Sequence, residues 1–264
     1  MSERINDRID WTVQDGVARA SLAYGRGNAL DMPMAEAILA ATDRIAAGAA
    51  DGSIRVAVLA AAGPVFCVGG DLRSFADADD RAGFVRREAD ILHRAILTLR
   101  AAPIPVVSVV HGTVAGGGIG VALAADVVLM AAEATMRLAY TAVGLSPDCG
   151  TSWLLAQRVG SARAADFALT NRDITGAQAA DWGLVSRAVP SADLDATAGQ
   201  IIAGLRRGPT AAYAATKRLL AAAPGRDLAE QLDDEAATVS QLAAGATGTE
   251  GINAFLGKRA PDFG

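Results

Sequence analysis

The stretch Val106-Val107-Ser108-Val109-Val110-His111-Gly112-Thr113-Val114-Ala115-Gly116-Gly117-Gly118-Ile119-Gly120-Val121-Ala122-Leu123-Ala124-Ala125-Asp126 decides how the chain is read. The β-branched run 106–110 predicts a buried strand, His111-Gly112 a turn, and 119–125 a helix of small residues, with three consecutive glycines between. A helix start without side chains leaves bare N–H groups open to close approach, and the helix dipole favours negative charge there. Upstream, the apolar run 56–60 leads into Gly63-Pro64-Val65-Phe66-Cys67-Val68-Gly69-Gly70-Asp71-Leu72, a second strand running into a glycine turn. Two such turns can each aim one N–H at the same oxygen atom, which makes an oxyanion hole wholly of backbone.

Composition bounds the rest. The chain has 264 residues, 52% hydrophobic and 20% charged, which fits one globular domain with a sizeable core. Its formal net charge is −5 and its basic residues form no run, so no nucleic-acid partner is expected. An anionic ligand must be gripped by a few local Lys or Arg. Two cysteines (Cys67, Cys149) and two histidines (His93, His111) supply neither a disulfide framework nor metal-ligand spacing. A cytoplasmic location and no metal are the expectations. Residues 1–10 are charged and polar, unlike a signal peptide, and no apolar run reaches the roughly 18 residues of a membrane span.

Residues 11–13 and 17–22 read as two strands around Asp15-Gly16, and 34–47 as a helix with Asp31 as N-cap before Pro33. Residues 77–81 read as a mobile loop. Phe84, Ile91, Leu92, Ala95, Ile96 and Leu99 recur at helical spacing, and only Glu88 breaks that stripe. Strands are expected at 127–130 and 135–138. Strand and helix thus alternate over the first half, which argues α/β with right-handed crossovers. After Gly150 the chain turns helical: 151–159, 162–169, 177–182, a last strand at 185–189, then helices over 194–206, 210–222, 228–242 and 249–256. The domain expectation is an α/β core over 1–190 and a helical C-terminal region over 191–264.

Gly116-Gly117-Gly118-Ile119-Gly120 also offers the G-x-G-x-G spacing of a dinucleotide site. That motif wants a glycine or alanine three places after its second glycine and an acid about 20 residues on. Val121 stands after Gly120, and no acid ends the next strand, so this alternative is set aside.

Taken together, Phe66-Cys67-Val68-Gly69-Gly70-Asp71-Leu72 and His111-Gly112-Thr113-Val114-Ala115-Gly116-Gly117-Gly118 resemble the crotonase (enoyl-CoA hydratase/isomerase) superfamily. So do Asn28-Ala29-Leu30, Trp182-Gly183-Leu184-Val185 and the ending Gly251-Ile252-Asn253-Ala254-Phe255-Leu256-Gly257-Lys258-Arg259. Each motif alone is weak, but five occur in order. The resemblance implies a spiral of ββα units with a helical C-terminal oligomerisation region, in a trimer or dimer of trimers. It implies an acyl-CoA substrate, with coenzyme A only as part of the thioester and no other cofactor. Isomerase, lyase and fatty acid metabolism are the activity classes that follow.

The resemblance also assigns residues. The amides of Gly70 and Gly117 would hold a thioester carbonyl and stabilise the enolate. Arg26 and Lys258, the latter from a neighbouring subunit, would meet the coenzyme A phosphates, with Arg73 a weaker candidate. Phe66, Val68, Asp71 and Leu72 would lie at the substrate. Hydratases of the family use two glutamates, and here those positions are Gly120 and Tyr140. Instead, Gly144-Leu145-Ser146-Pro147-Asp148-Cys149-Gly150 resembles the element in which enoyl-CoA isomerases carry one acid, so Asp148 would shuttle a proton along the acyl chain; its other reading is a helix N-cap.

The same aspartate is the nucleophile in 4-chlorobenzoyl-CoA dehalogenases, whose catalytic histidine matches His93, 24 residues before Gly117. His93 otherwise reads as the half-buried edge of an amphipathic helix, and His111 as structural. Those dehalogenases carry Trp where Tyr140 stands and an aromatic where Gly70 stands. Tyr140, Trp153 and Phe66 are the candidate pocket walls. Isomerisation leads, an aromatic acyl-CoA dehalogenase or hydrolase follows, and hydration is third; a non-catalytic acyl-CoA-binding protein is the alternative of another class.

Overall fold

The computed structural model describes residues 2–264. In chain order the elements are β1 (Ser2–Ile5), β2 (Ile9–Gln14), β3 (Val17–Leu22), α1 (Met32–Asp51), β4 (Val56–Ala61), α2 (Leu72–Asp77), α3 (Arg81–Ala101), β5 (Val106–Val110), β6 (Thr113–Ala115) and α4 (Gly117–Leu123). There follow β7 (Val127–Ala131), β8 (Thr135–Arg137), α5 (Thr151–Thr170), β9 (Ile174–Thr175), α6 (Gly176–Asp181), β10 (Arg187–Val189), α7 (Leu194–Arg206), α8 (Thr210–Ala222), α9 (Leu228–Ala244) and α10 (Ala246–Leu256).

A seven-stranded sheet runs β1-β2-β3-β4-β5-β7-β10, antiparallel over its first three strands and parallel from β3 onward. β5 is buried along its whole length, and β4 along all but its last residue. That explains their continuous valine and alanine runs, since a parallel sheet is covered on both faces. A second sheet, β6-β8-β9, lies beside the first. The chain visits the large sheet, then the small one, then a helix, as in β5-β6-α4. Parallel bridges Leu30↔Gly70 and Cys67↔Val114 continue the small layer across earlier turns. This is the ββα spiral of the crotonase fold. Periodicity could not predict it, because β6 and β8 are three residues long.

Several expectations need correction. The loop expected at 77–81 is a short turn, 78–80, between α2, which ends at Asp77, and α3, which Asp80 caps by accepting from the Gly83 N–H at 2.9 Å. β1 was hidden by its charged residues, which an edge strand tolerates. The expected helices 151–159 and 162–169 are both present within α5, separated at Gly160, whose φ of 74° and ψ of 165° are not helical. Within the region expected to be helical, 191–264, the first long helix still meets the core. α7 packs on β4, β5 and β7 and buries Leu194, Ala198 and Ile202 in the main core. Arg55 reaches from the sheet to the carbonyls of Arg206 (2.9 Å) and Gly208 (3.0 Å), tying in the next turn as well.

Asn28 shows how the fold positions the first glycine turn. It is buried with a left-handed φ of 49°, which Asn tolerates better than most residues. Its Nδ2 lies within hydrogen-bond reach of the carbonyls of Ala62 (3.0 Å), Val65 (3.1 Å) and Phe66 (3.2 Å), and its Oδ1 accepts from the Tyr24 N–H (2.8 Å). One side chain therefore pins the segment 62–66 against the N-terminal loop. Next to it, Asp31 accepts from the Met34 N–H at 2.8 Å and pairs with Arg8 at 2.9 Å, fixing the start of α1. Asn28→Ala removes the side-chain partner of four backbone groups, of which the Phe66 carbonyl bond is fully buried, and should cost about 1–3 kcal/mol of stability. Urea unfolding measures this as a lowered midpoint at unchanged slope, and a cost under about 0.5 kcal/mol would remove Asn28 from that role.

Candidate active site

The two glycine turns meet. The Ala115 N–H donates to the Cys67 carbonyl (2.8 Å) and the Phe66 N–H to the Thr113 carbonyl (2.9 Å). Gly69 has φ of 91°, and a Cβ there would lie 3.0 Å from the Ala115 carbonyl oxygen and 3.3 Å from the Gly116 Cα. Backbone packs on backbone, which only glycine permits. The next residue on each side, Gly70 and Gly117, lines one cavity of about 430 Å³. Neither N–H donates to an acceptor among the described residues, and Gly117 opens α4, where helix amides have no internal partner. The expected pair of free donors is thus brought to a common cavity.

Asp148 and Tyr140 stand at the same cavity. The Tyr140 hydroxyl donates to the Asp148 carbonyl at 3.3 Å, and burial pushes its phenol well above the ordinary value. Two consecutive left-handed residues, Cys149 (φ 52°) and Gly150 (φ 67°), turn the chain from Asp148 into α5. Asp148 therefore stands ahead of α5 and does not cap it: the N-cap is Gly150. Its side chain is left for another task. His93, on α3, donates from Nε2 to Asp148 Oδ1 at 2.5 Å. His93 stands at the edge of α3 with its side chain 45% exposed, and this contact joins it to Asp148. His111 is structural as expected, donating from Nε2 to the Gly63 carbonyl at 2.9 Å.

Gly120 explains how that loop fits. A Cβ at Gly120 would sit 2.1 Å from the Cys149 carbonyl oxygen and 2.7 Å from the Cys149 Cβ. The loop carrying Asp148 occupies the space a side chain at position 120 would need. A glutamate at 120 and this aspartate loop are sterically exclusive.

The cavity walls are apolar, with Leu72, Phe75, Val85, Leu92, Val143 and Leu145 among them. Val68 and Leu72 lie there half-exposed. Of the expected site residues, Arg26, Phe66, Asp71, His93, Trp153 and Lys258 are not among those lining it. Phe66 is fully buried in the main core, because the strand-like pairing of Phe66 and Cys67 with β6 turns it inward. Trp153, 51% exposed, stacks with Arg100 in a separate surface cleft. Asp71 spends its carboxylate on the cap of α2, accepting from the Arg73 N–H (3.1 Å) and the Ser74 hydroxyl (2.8 Å). Arg26 is exposed on the loop before Gly27, whose carbonyl accepts from Val68 at the cavity rim. Lys258 is exposed just past α10 and lines no part of this cavity.

The enoyl-CoA hydratase/isomerase family model matches residues 12–264. The chain belongs to that family, within the crotonase superfamily. A Rhodobacter capsulatus protein bearing an enoyl-CoA hydratase name is 39% identical over 257 residues, 97% of each chain. The 1,2-epoxyphenylacetyl-CoA isomerase of Escherichia coli is 35% identical over 81% of this chain and 82% of its own. A crystal structure of an enoyl-CoA hydratase/isomerase from Mycobacterium abscessus superposes with a TM-score of 0.91 at 32% identity, over 97% and 99% of the two chains. The protein is an acyl-CoA-processing enzyme of the crotonase superfamily.

Sequence reading missed one ionisable group in this crotonase pocket. Glu88 lines it from α3 and is 4% exposed. Its only signal was the break in an apolar stripe. Burial pushes its carboxyl up to about 8, and repulsion from Asp31, Asp148 and Asp71 adds to this. Arg86 also lines the cavity, but its guanidinium pairs with Asp90 at 2.8 Å. With the folded value above the unfolded one, the native state keeps a proton that the unfolded chain releases. This contribution to stability is full below about pH 4 and is lost as pH rises through about 8. Urea titrations of wild type and Glu88→Gln from about pH 5 to 9 test it. As pH rises, the stability gap should move in favour of the glutamine variant by up to about 1.4 kcal/mol per pH unit. A gap that stays constant would contradict the burial argument.

Proposed function

We propose that the protein is an enoyl-CoA isomerase that moves a double bond along an acyl chain. Asp148 takes a proton from C2 of a 3-enoyl thioester, the amides of Gly70 and Gly117 hold the dienolate oxygen, and the acid returns the proton at C4. The observation that carries this is that a carboxylate, Asp148, lines the same cavity as two free amides, while both hydratase positions lack an acid. Each hole donor should contribute about 2.7–4 kcal/mol to the enolate-like transition state. The proton shuttle should be worth about 10²–10⁴-fold. His93 orients the Asp148 carboxylate through its hydrogen bond. Tyr140 closes the pocket beside Gly117, where a Cβ would lie 3.7 Å from the phenol oxygen.

The coenzyme A phosphates would meet Arg26 at the pocket mouth and Lys258 of a neighbouring copy. A trimer supports that geometry: α8, α9 and α10 expose Leu220, Leu228, Val239, Phe255 and Leu256, an apolar surface that the single chain leaves uncovered.

A second reading draws on the His93–Asp148 contact: Asp148 attacks a halogenated benzoyl-CoA ring and His93 activates water to release the product. The cavity favours the first reading, because among its lining residues only Phe75 and Tyr140 are aromatic.

Wild type, Asp148→Asn and His93→Gln should be assayed with a series of 3-enoyl-CoA thioesters, following the absorbance of the conjugated 2-enoyl product. Wild type should turn over and Asp148→Asn should lose about 10³-fold in kcat/KM. His93→Gln should lose about 10–100-fold, the worth of one hydrogen bond to a charged group. Halide release from 4-chlorobenzoyl-CoA without 3-enoyl turnover would replace the isomerase by the second reading.

A further inference from the structure

On α3, Val85, Glu88, Ala89 and Leu92 follow the i, i+3, i+4, i+7 spacing of one helix face, and all four line the acyl cavity. Three are apolar. Glu88 sits in the middle of that wall, 4% exposed, and its Oε2 has no hydrogen-bond partner. The acidic groups that influence it, Asp31, Asp148 and Asp71, all repel it, so no cation compensates it there. A solvated or paired surface glutamate shows neither feature. Buried polar groups in folded proteins are almost always hydrogen-bonded, and an orphaned carboxyl on a residue that lines a ligand cavity calls for a partner supplied by the ligand.

The proton shuttle does not use this group. Asp148 is assigned the chemistry at the glycine turns, whereas Glu88 stands on α3 between Val85, Ala89 and Leu92. A straight aliphatic chain would cover Glu88 and leave its oxygen unpartnered. An acyl chain bearing an oxygen at that depth would satisfy it. Burial favours the neutral carboxyl, which both donates and accepts, so it matches a hydroxyl or a keto oxygen equally.

We propose that Glu88 is a specificity residue that selects acyl-CoA substrates carrying a hydroxyl or keto oxygen on the acyl chain, by hydrogen bonding to that oxygen within the cavity. The proposal rests on the assignment of this cavity to the acyl group, but not on which reaction Asp148 performs. Its test is therefore equilibrium binding, not turnover.

Dissociation constants should be measured calorimetrically for octanoyl-CoA, for its monohydroxy derivatives at C6 through C8 and for its monoketo derivatives at C4 through C7. Wild type, Glu88→Gln and Glu88→Leu are compared. Wild type should bind at least one oxygenated thioester about tenfold or more tighter than octanoyl-CoA. Glu88→Gln, which still donates and accepts, should keep most of that preference. Glu88→Leu should abolish or invert it by binding octanoyl-CoA more tightly. Equal affinity across the whole series in wild type would overturn the proposal, as would an undiminished preference in Glu88→Leu. If Glu88→Leu does not fold, the wild-type and Glu88→Gln series decide alone. Failure of every thioester to bind wild type would instead overturn the acyl-pocket assignment.

Discussion

The backbone-to-backbone contact between Gly69 and the Ala115-Gly116 peptide is the constraint on which the site depends. Two strands of the parallel sheet, β4 and β5, are neighbours in register, so the turns that follow them emerge side by side. A side chain at either turn would hold them apart. With glycine at both, the Cys67 and Ala115 backbones hydrogen-bond, and the free amides of Gly70 and Gly117 reach one cavity. Such donors are fixed before the reaction begins, which is what makes electrostatic stabilisation of a developing oxyanion effective. Asn28 and His111 hold the first turn from behind with hydrogen bonds to its carbonyls.

The same economy of space determines the acid. The loop of Asp148 docks on Gly120, and the Cys149 carbonyl fills the volume that a side chain there would need. Exchanging the two hydratase glutamates for this one aspartate is therefore a change of backbone path as well as of residue type. His93 reaches the aspartate from α3, and Glu88 faces the cavity one and a half turns earlier on that helix. α3 thus supplies both a partner for the acid and a polar point in the acyl wall.

The glycine motifs, the long helices and the buried strands were legible because each depends on local pattern: apolar period, caps, and glycine where φ or contact demands it. The small second sheet was not, since its strands are too short to show a period and form only through contacts distant in sequence. Site residues divided in the same way. Gly70, Gly117, Asp148 and Tyr140 could be placed from their motifs, and the structure gathers them in one cavity. Phe66 and Asp71 sit inside the same motif but serve the core and a helix cap. The His93–Asp148 contact spans 55 residues of sequence; the dehalogenase resemblance paired the two residues, and the fold brings them into contact. Glu88 was visible only as a fault in an apolar stripe, and its meaning came from the cavity it faces.

Deuterium exchange at C2 of a saturated acyl-CoA in heavy water most directly tests whether the two glycine turns and Asp148 form an enolate site. A saturated chain cannot isomerise, be hydrated or lose halide, so mass gained at C2 reports enolate formation alone. The account predicts exchange by wild type and its loss in Asp148→Asn, with thioester binding retained in both. Tight binding by wild type without any exchange at C2 would contradict it.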